Sequence, residues 1–297
     1  MAKKLRAPEL AFQTAIAIVA ILFALLCVYP LYYILMYALS DPNTVSSTKV
    51  FFTPHRFTLY NFSELLGRNG IIASFLISVS RALLGTAVTI TTTGLFAHVL
   101  MKQKLPFRRF FYRATIASMY VGAGLIPWYI TMLRLGLKDN YLLYILPYTI
   151  NAYYLILIKT YMESLPAALE ESASIDGAGL FTIFFRILIP LCTPIIAATA
   201  VFSAVMQWNT WVDNFYLINN TRLFTLQYNL YILLNRAESI ANQIIQSGGS
   251  MEELQKAITP TSVRMTITMI AAIPIIMVYP FMQRFFVKGI MLGAVKG

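Results

Sequence analysis

Charged residues are scarce in this sequence, and their scarcity excludes an ordinary soluble protein. Asp, Glu, Lys and Arg make up 12% of the 297 residues, whereas a water-soluble domain carries about 25%. Hydrophobic residues make up 58%, and several uninterrupted apolar runs exceed the roughly 18 residues that a transmembrane helix needs. The polar segments between these runs are too short to fold separately. The composition therefore predicts an all-α polytopic membrane protein in which residues 1–297 form a single transmembrane domain.

The sequence also lacks the motifs of several enzyme and cofactor sites. It contains no G-x4-G-K-S/T phosphate loop, no H-E-x-x-H zinc motif and no G-x-S-x-G nucleophile motif. Its two cysteines, Cys27 and Cys192, lie in or beside apolar segments and lack the spacing of a metal site. The two histidines, His55 and His98, are isolated from each other. We therefore expect no metal and no cofactor on this chain, and any ATP hydrolysis must take place on another chain.

The net charge of +11 is explained by membrane topology and does not indicate nucleic-acid binding. Basic residues at the ends of spans set the orientation of a membrane protein and contact anionic lipid headgroups. The densest basic cluster, residues 102–113, is therefore expected in the cytoplasm, and both termini are expected on the same side. The predicted spans are residues 12–39, 82–101, 110–133, 140–159, 191–217 and 265–286.

Arg81 lies at the start of the second predicted span, and two interpretations of it are open. An ionisable residue inside a span is a functional candidate. However, residues 82–101 are long enough to cross the membrane without it. We therefore expect Arg81 at the outer headgroups.

Residues 161–190, between the fourth and fifth predicted spans, do not resemble a simple connector. They carry one third of the acidic residues of the chain, namely Glu163, Glu170, Glu171 and Asp176. Ser164 is a candidate helix cap, and Gly177 predicts a break before a second helix that reaches Leu188. The expected structure is two short helices that meet at a glycine corner. An acidic, alanine-rich element on the cytoplasmic side suits a groove on another protein better than anionic lipid.

This segment resembles the E-A-A-x3-G-x9-I-x-L-P signature of bacterial ABC importer permeases. Glu171-Ser172-Ala173 is followed by Gly177 and, after nine intervening residues, by Ile187-Leu188-Ile189-Pro190. Ser172 and Ile189 depart from the signature by small changes, which leave the docking role in place. The alternative is an amphipathic linker without a docking role.

The resemblance covers nearly the whole chain and narrows to permeases that import carbohydrates. It rests on Gly124-Leu125-Ile126-Pro127, Ile175-Asp176-Gly177-Ala178, Trp208-Asn209-Thr210-Trp211 and the ending from Val287 to Gly297. It implies the type I, MetI-like permease fold with six transmembrane helices, and the import of oligosaccharides, including uronic-acid-containing and other polysaccharide fragments.

The resemblance also implies a bacterial inner-membrane location and a set of partners. These are a second, related permease, two ATP-binding subunits that hold ATP and Mg²⁺, an extracytoplasmic solute-binding protein and membrane lipid. In that family the signature segment sits in a cleft of the ATPase subunit, and the permease tail can reach the ATPase dimer interface. The residues that carry these contacts by resemblance are Glu171, Ala173, Asp176 and Gly177, together with Lys296 and Gly297 at the tail.

Polar and aromatic residues of the fourth and fifth predicted spans form a candidate substrate path. Aromatic rings pack on the apolar faces of sugars, while amides and carboxylates exchange hydrogen bonds with sugar hydroxyls. The alternative is an aromatic belt at the outer headgroups. Two sets have the i, i+4, i+7 spacing of one helical face, with three further residues nearby: Tyr144, Tyr148 and Asn151; Gln207, Trp211 and Asn214; and Trp208, Asn209 and Asp213.

Asp213 is the only acidic residue at this predicted depth, and the sequence shows no evident partner for it. A membrane-embedded enzyme would need a converging nucleophile and base or paired carboxylates, so it is a weaker alternative. An ABC permease for peptides or amino acids would share residues 161–190 as the segment that couples it to the ATPase, called the coupling segment below. An ATP-independent carrier would have no use for this segment.

Glycines and prolines in two predicted spans are candidates for broken helices that line the path. Both residue types are also simply more frequent in membrane helices than in soluble ones. The residues concerned are Gly122, Gly124, Pro127, Pro274 and Pro280.

Overall fold

The computed structural model describes residues 7–45, 52–67, 70–246 and 260–294. Within these ranges the chain is mostly helical, with only an isolated bridge between Ser40 and Phe57, which confirms the all-α prediction. The α-helices are α1 Ala7–Ala38, α2 Pro42–Val45, α3 Tyr60–Leu66, α4 Ile71–Met101, α5 Arg108–Tyr120, α6 Leu125–Arg134, α7 Ala152–Glu163, α8 Ala168–Ile175, α9 Leu180–Leu191 with a π-helical middle at Ile183–Leu188, α10 Thr193–Asn209, α11 Val212–Leu217, α12 Leu226–Gln246 and α13 Pro260–Ala294. Short 3-10 turns occur at Tyr141–Tyr144, Leu146–Tyr148 and Thr221–Leu223.

Several of the described helices are long and apolar enough to cross a bilayer. Three do so alone: Phe12–Ala38, Ile71–Met101 and Thr261–Val278. Two bent pairs also meet the criterion: Tyr141–Tyr148 with Ala152–Glu163, bent by 49°, and Leu180–Leu191 with Thr193–Asn209, bent by 88°. The described residues therefore provide three such helices, or five if each bent pair counts as one span.

The predicted third span, residues 110–133, is a broken helix. Helix α5 ends at Tyr120 and α6 begins at Leu125. Gly124 immediately precedes α6 with φ +78°, a backbone conformation that glycine adopts without the steric cost of a Cβ atom. Of the two interpretations of Gly124, the structure therefore favours the broken helix. Whether this break lines a path is a separate question of function.

The chain divides into two compact units, each described separately here. The first unit comprises Met1–Arg68 and Ile232–Ala272, and the second comprises Asn69–Tyr231 and Ile273–Gly297. In the first unit, Asn61 donates two hydrogen bonds from Nδ2, to the carbonyls of Ala38 (2.9 Å) and Ser40 (2.8 Å). These bonds hold α3 against the end of α1.

Helix α1 exposes large apolar side chains along most of its length. Three consecutive residues, Ile21, Leu22 and Phe23, point about 100° apart around the helix axis, and all three are exposed. A helix that is hydrophobic all round is typical of a membrane span that faces lipid. We therefore interpret the exposed surface of α1 as lipid-contacting.

Helix α4 forms the centre of the second unit, where it packs against α10 and α7. Small residues allow the backbones of membrane helices to approach closely. A Cβ atom added to Gly85 would lie 2.6 Å from Nε2 of Gln207, and one added to Gly94 would lie 3.1 Å from the ring of Phe184. The buried small and hydroxyl residues on α4 are Ser74, Ser78, Gly85, Thr89, Thr93, Gly94 and Ala97.

A loop contact closes the second unit between α6 and the 3-10 turn that begins at Thr221. Oδ1 of Asp139 accepts hydrogen bonds from the backbone N–H groups of Asn219 and Asn220. These two bonds, with that from Asn220 the larger contribution, hold the pKa of the Asp139 carboxyl below its ordinary value. The N–H of Asp139 in turn donates to the carbonyl of Leu217, at 3.0 Å.

Candidate functional site

The coupling segment, residues 161–190, contains the two short helices and the glycine corner that the sequence predicts. Helix α8 ends in a Schellman motif: the N–H of Ala178 donates to the carbonyl of Ala173, and the N–H of Gly177 donates to that of Ser174. Gly177 has φ +81°. A Cβ atom at Gly177 would meet nothing within 4 Å, so steric crowding within the corner does not explain the glycine. Glycine is required there for its left-handed backbone conformation.

The start of the coupling segment differs from the prediction. Ser164 does not cap α8; it ends α7, and its hydroxyl donates to the carbonyl of Tyr161 at 2.7 Å. Helix α8 begins three residues after Leu165, with Ala167 at its N-terminal cap position and no side-chain cap. The predicted cap is wrong because the serine hydroxyl bonds backward to the preceding turn, as serine hydroxyls commonly do.

The coupling residues proposed from the resemblance divide into an outer and an inner group. Glu171 and Asp176 are exposed. Ala173 is buried and packs in the apolar cluster that includes Phe184. Ile175, which the sequence analysis did not single out, is 86% exposed. An exposed isoleucine between acidic residues on α8 is suited to a partly apolar partner surface.

The tyrosine set of the candidate substrate path does not share one helical face. Tyr144 and Tyr148 lie in separate 3-10 turns, and Asn151 caps α7, where its Oδ1 accepts a hydrogen bond from the N–H of Tyr154. Pro147 lies between the two tyrosines and cannot donate the backbone bond that a continuous helix needs. The one-face prediction for this set is therefore wrong.

The second set also crosses a helix break. Helix α10 ends at Asn209, and Thr210 has an extended backbone before α11 begins at Val212. Gln207 therefore lies on α10, whereas Asn214 lies on α11. The predicted fifth span, residues 191–217, is therefore not one continuous helix, and the break at Thr210 frees backbone groups for tertiary contacts.

Arg81 and Asp213 form a buried ion pair at this break. The guanidinium donates from NH1 to Oδ1 (3.1 Å) and from NH2 to Oδ2 (2.6 Å) of the carboxylate, and the two side chains are 0% and 1% exposed. Nε of Arg81 donates to Oε1 of Gln207 at 3.0 Å, and NH1 donates to the carbonyl of Thr210 at 3.1 Å. The expectations that Arg81 reaches the headgroups and that Asp213 lacks a partner are both wrong, because these charges compensate each other.

Aromatic and amide side chains surround this ion pair. The guanidinium carbon of Arg81 lies 4.7 Å from the ring centre of Tyr144 and 5.8 Å from that of Tyr148. The hydroxyl of Tyr144 accepts a hydrogen bond from Nδ2 of Asn214 and donates to the carbonyl of Leu223. Oδ1 of Asn214 accepts from Thr225. The polar groups are thus arranged as one connected network, which fixes α11 relative to α4.

A cavity of about 330 Å³ lies beside the ion pair. Two of the predicted path residues, Tyr148 and Asp213, line it. Sequence reasoning missed Trp128, which supplies an indole ring to the same cavity. The full lining is Ala123, Gly124, Leu125, Trp128, Tyr148, Thr210, Val212 and Asp213.

The remaining path residues make other contacts. Trp211 stacks on Tyr231 with ring centres 4.4 Å apart, and Trp208 packs edge-on against Phe75 at 5.9 Å. Asn209 accepts a hydrogen bond from Gln227. These three residues are not among those that line the cavity. Tyr144 and Gln207 contact Arg81 of the ion pair, and Asn214 donates a hydrogen bond to the hydroxyl of Tyr144.

The described part of the chain offers a binding cavity but no cluster of metal-ligating side chains. Among the residues that the structure describes, no group of three or more His, Cys, Asp and Glu side chains could hold a metal ion. Lys296 and Gly297, the predicted tail contacts, lie outside the described residues.

The comparisons with known proteins agree on one family. The chain is 34% identical to the polygalacturonan/rhamnogalacturonan transport system permease protein YtcP of Bacillus subtilis over 281 residues, 93% of this chain and 95% of that protein. The chain belongs to the sugar ABC transport permeases. It is also 34% identical to Protein LplC of Bacillus subtilis over 271 residues, 91% of this chain and 90% of that protein. No protein-family model matches the chain.

A solved structure supports the same fold for this permease. The crystal structure of a bacterial ABC transporter involved in the import of the acidic polysaccharide alginate matches with a TM-score of 0.80 and 26% identity. The match covers 96% of this chain and 100% of that one. The relatives of this permease are transport proteins and not enzymes, and ATP hydrolysis in such systems belongs to partner ATPases. Membership of an ABC importer system implies an ATPase and a solute-binding protein as partners.

Proposed function

We propose that this permease imports oligosaccharide fragments of acidic polysaccharides, powered by ATP hydrolysis on partner subunits. The similarity to the polygalacturonan/rhamnogalacturonan permease over 93% of the chain is the observation that carries the proposal. The alginate importer, whose substrate is named as an acidic polysaccharide, supports the same substrate class. Peptide import would use the same coupling segment but agrees less well with these relatives.

The proposed topology has six spans with both termini in the cytoplasm of a bacterial cell, across its inner membrane. Helices α1, α4 and α13 each supply one span, and the broken helix α5–α6 supplies the third. The bent segment from Tyr141 to Glu163 supplies the fourth, and α10 supplies the fifth. The basic cluster at residues 102–113 precedes the third span, where the positive-inside rule favours the cytoplasmic side.

In this proposal the chain forms half of the translocation path and pairs with a second, related permease. Two ATP-binding subunits bind below the membrane, and an extracytoplasmic binding protein delivers the sugar from above. The whole chain then acts as one transmembrane domain, with residues 161–190 as its cytoplasmic coupling segment.

The coupling segment transmits the movement of the ATPases. Glu171, Ile175 and Asp176 form an exposed surface on and beside α8 that offers two carboxylates and one apolar side chain to a partner groove. Carboxylates make strong charge-assisted hydrogen bonds with basic or amide donors. ATP binding favours one state of the ATPases, and the docked segment then shifts the spans between inward and outward openings. Lys296 and Gly297 are proposed to reach the ATPase dimer interface.

The cavity beside the ion pair is the proposed sugar contact on this chain. Trp128 and Tyr148 offer ring surfaces for the apolar faces of a sugar, while Thr210 and Asp213 offer polar groups for hydroxyls. Arg81 already compensates the charge of Asp213, so no unpaired cation of this pair is left for a sugar carboxylate. Recognition of the acidic group therefore falls to other surfaces of the importer.

Purification and reconstitution test this function. We expect an ATPase and a second permease to be identified by mass spectrometry when the chain is purified gently from its native membrane. In proteoliposomes with the binding protein, galacturonate or alginate oligosaccharides should accumulate only when ATP is supplied inside. Uptake without ATP would refute the ABC mechanism, and ATP-driven uptake of peptides instead of sugars would refute the substrate class.

A further inference from the structure

Two neighbouring glutamates of α8 face different directions. Glu171 is exposed, as expected for a residue that contacts a partner. The carboxylate of Glu170 points back into the chain and is 21% exposed. Its Oε2 forms an ion pair with Nζ of Lys102, and its Oε1 lies 3.4 Å from Nδ1 of His98. Of these two adjacent residues, Glu171 is thus exposed to a partner protein, whereas Glu170 contacts side chains of its own chain.

Both contacts of Glu170 lie at one end of α4. His98 is in the last turn of that helix, and Lys102 follows Met101 directly. The His98 side chain is fully buried, and neither of its ring nitrogens has a hydrogen-bond partner among the residues that the structure describes. The carboxylate of Glu170 therefore lies beside a buried histidine, His98, whose ring nitrogens are otherwise unsatisfied among the described residues.

The part of the coupling segment beyond the glycine corner contacts the same end of α4. The ring of Phe184, in α9, lies with its centre 5.9 Å from that of His98. The same ring packs closely on Gly94, one turn earlier on α4. His98 consequently lies between Glu170, which precedes Gly177, and Phe184, which follows it. The same end of α4 therefore contacts the coupling segment on both sides of Gly177.

A second set of ion pairs attaches the end of α7 to the same region. Glu163, the last residue of α7, contacts Lys159 at 2.6 Å and Arg108 at 3.3 Å. Nε of Arg108 also donates to the carbonyl of Leu100, at 2.7 Å. The α7 end of the connection between α7 and α8 is therefore linked to the end of α4 through Arg108, the first residue of α5, and the α8 end is linked to it through Glu170.

We propose that Glu170 is a positioning residue that locks α8 to the end of α4, so that movement of the docked ATPase is passed to α4 as one rigid body. Arg81, whose ion pair adjoins the cavity, lies on the same helix, about 25 Å from His98 along its axis at 1.5 Å per residue. Helix α4 thus connects the coupling segment to the ion pair beside the cavity. This inference rests on the proposed coupling function and assigns the inner glutamate a role separate from that of Glu171.

Matched glutamine variants separate the two glutamates. The experiment uses the complete importer in proteoliposomes and measures the ATPase retained, the ATP hydrolysed and the sugar imported. For Glu170→Gln we expect the ATPase to stay bound and ATP hydrolysis to continue, while sugar imported per ATP falls by about threefold or more. For Glu171→Gln we expect weaker ATPase retention. Full coupling in Glu170→Gln would overturn the proposal.

Exchange of the two charges provides a rescue test. Glu170→Lys alone places two cations side by side and should uncouple import more strongly than Glu170→Gln. Adding Lys102→Glu restores an opposite-charge pair and should recover much of the lost import per ATP. A double variant that performs no better than Glu170→Lys would contradict the ion-pair mechanism.

A covalent cross-link between positions 170 and 102 tests the locking of α8 to α4 even where a charge variant assembles poorly. In a background with Cys27→Ala and Cys192→Ala, Glu170→Cys and Lys102→Cys remove the ion pair and provide two thiols. Joining them with a short bifunctional thiol reagent should raise the import per ATP, because the covalent link replaces the ion pair. If import per ATP does not increase on cross-linking, the proposal is overturned. A complete block of import would also overturn it, and would show that α8 must move relative to α4.

The coupling function itself has its own control. If Gly177→Leu and Glu171→Lys both leave the ATPase bound and import normal, the coupling role of residues 161–190 fails. If these two variants release the ATPase while Glu170→Gln stays fully coupled, the coupling role stands and only the role of Glu170 fails.

Discussion

Removal of one partner of the Arg81–Asp213 ion pair should destabilise the protein strongly. In Asp213→Ala the guanidinium stays fully buried and retains only two neutral acceptors, Oε1 of Gln207 and the carbonyl of Thr210. An uncompensated buried charge left by the loss of its partner costs about 3–5 kcal/mol. Two neutral hydrogen bonds offset part of this cost, so we expect a loss of about 3 kcal/mol in the free energy of unfolding.

The matched control replaces both charges with apolar side chains of similar size. Arg81→Met with Asp213→Leu leaves no buried charge, and such replacements are often neutral or stabilising by about 1–4 kcal/mol. We therefore expect the double variant to recover most of the stability that Asp213→Ala loses. The single variants Arg81→Met and Asp213→Leu complete a double-mutant cycle, which measures the coupling between the two sites.

Denaturant unfolding in detergent micelles, followed by tryptophan fluorescence, measures these stabilities. The cavity indole of Trp128 provides a local signal. A loss below about 1 kcal/mol in Asp213→Ala, or a double variant as unstable as the single one, would refute the energetic reasoning.

Three further outcomes follow from the structure. Gly177→Leu should reduce ATPase retention, whereas Gly177→Asn should retain most of it, because asparagine tolerates the left-handed conformation at a helix C-terminus; equal retention in a pull-down would contradict this. Gly94→Leu should lower the melting temperature because its side chain overlaps the ring of Phe184, and Phe184→Ala should recover part of the loss. The hydrogen bonds of Asp139 should protect the amides of Asn219 and Asn220 from hydrogen exchange at neutral pH. The folded-state pKa of Asp139 is lowered, so this stabilisation is complete above the ordinary pKa of an aspartate and is lost as the pH falls through the lowered value; protection that persists in Asp139→Ala would contradict it.

Local chemistry explains what the sequence predicted correctly. The glycine corner follows from a helix-forming stretch that ends at Gly177, because a Schellman motif depends on residues within one turn of each other. The apolar composition of α1 likewise predicts a membrane span without any knowledge of its neighbours.

Long-range contacts explain what the sequence did not predict. Arg81 and Asp213 are separated by 132 residues, and nothing in their local sequence indicates the pairing. The fact that each charge lies in an apolar region was a usable signal, since buried charges require partners. The one-face interpretation of Tyr144 and Tyr148 fails for a local reason, because Pro147 interrupts the helix that the periodicity predicts.

The π-helical turn at Ile183–Leu188 lies in the sequence between the coupling surface and α10. A π-helical turn accommodates one residue more than the α-helical pattern does. Each residue of a regular α-helix rotates the chain by about 100° about the axis. Deleting a single residue from this stretch would therefore restore a regular helix and leave Glu171 and Asp176 close to their present orientation relative to α10, whereas a deletion in a regular α-helical stretch would rotate them by about 100°. The π-helical turn is thus the place in residues 161–190 where ATPase binding should be least sensitive to the loss of one residue.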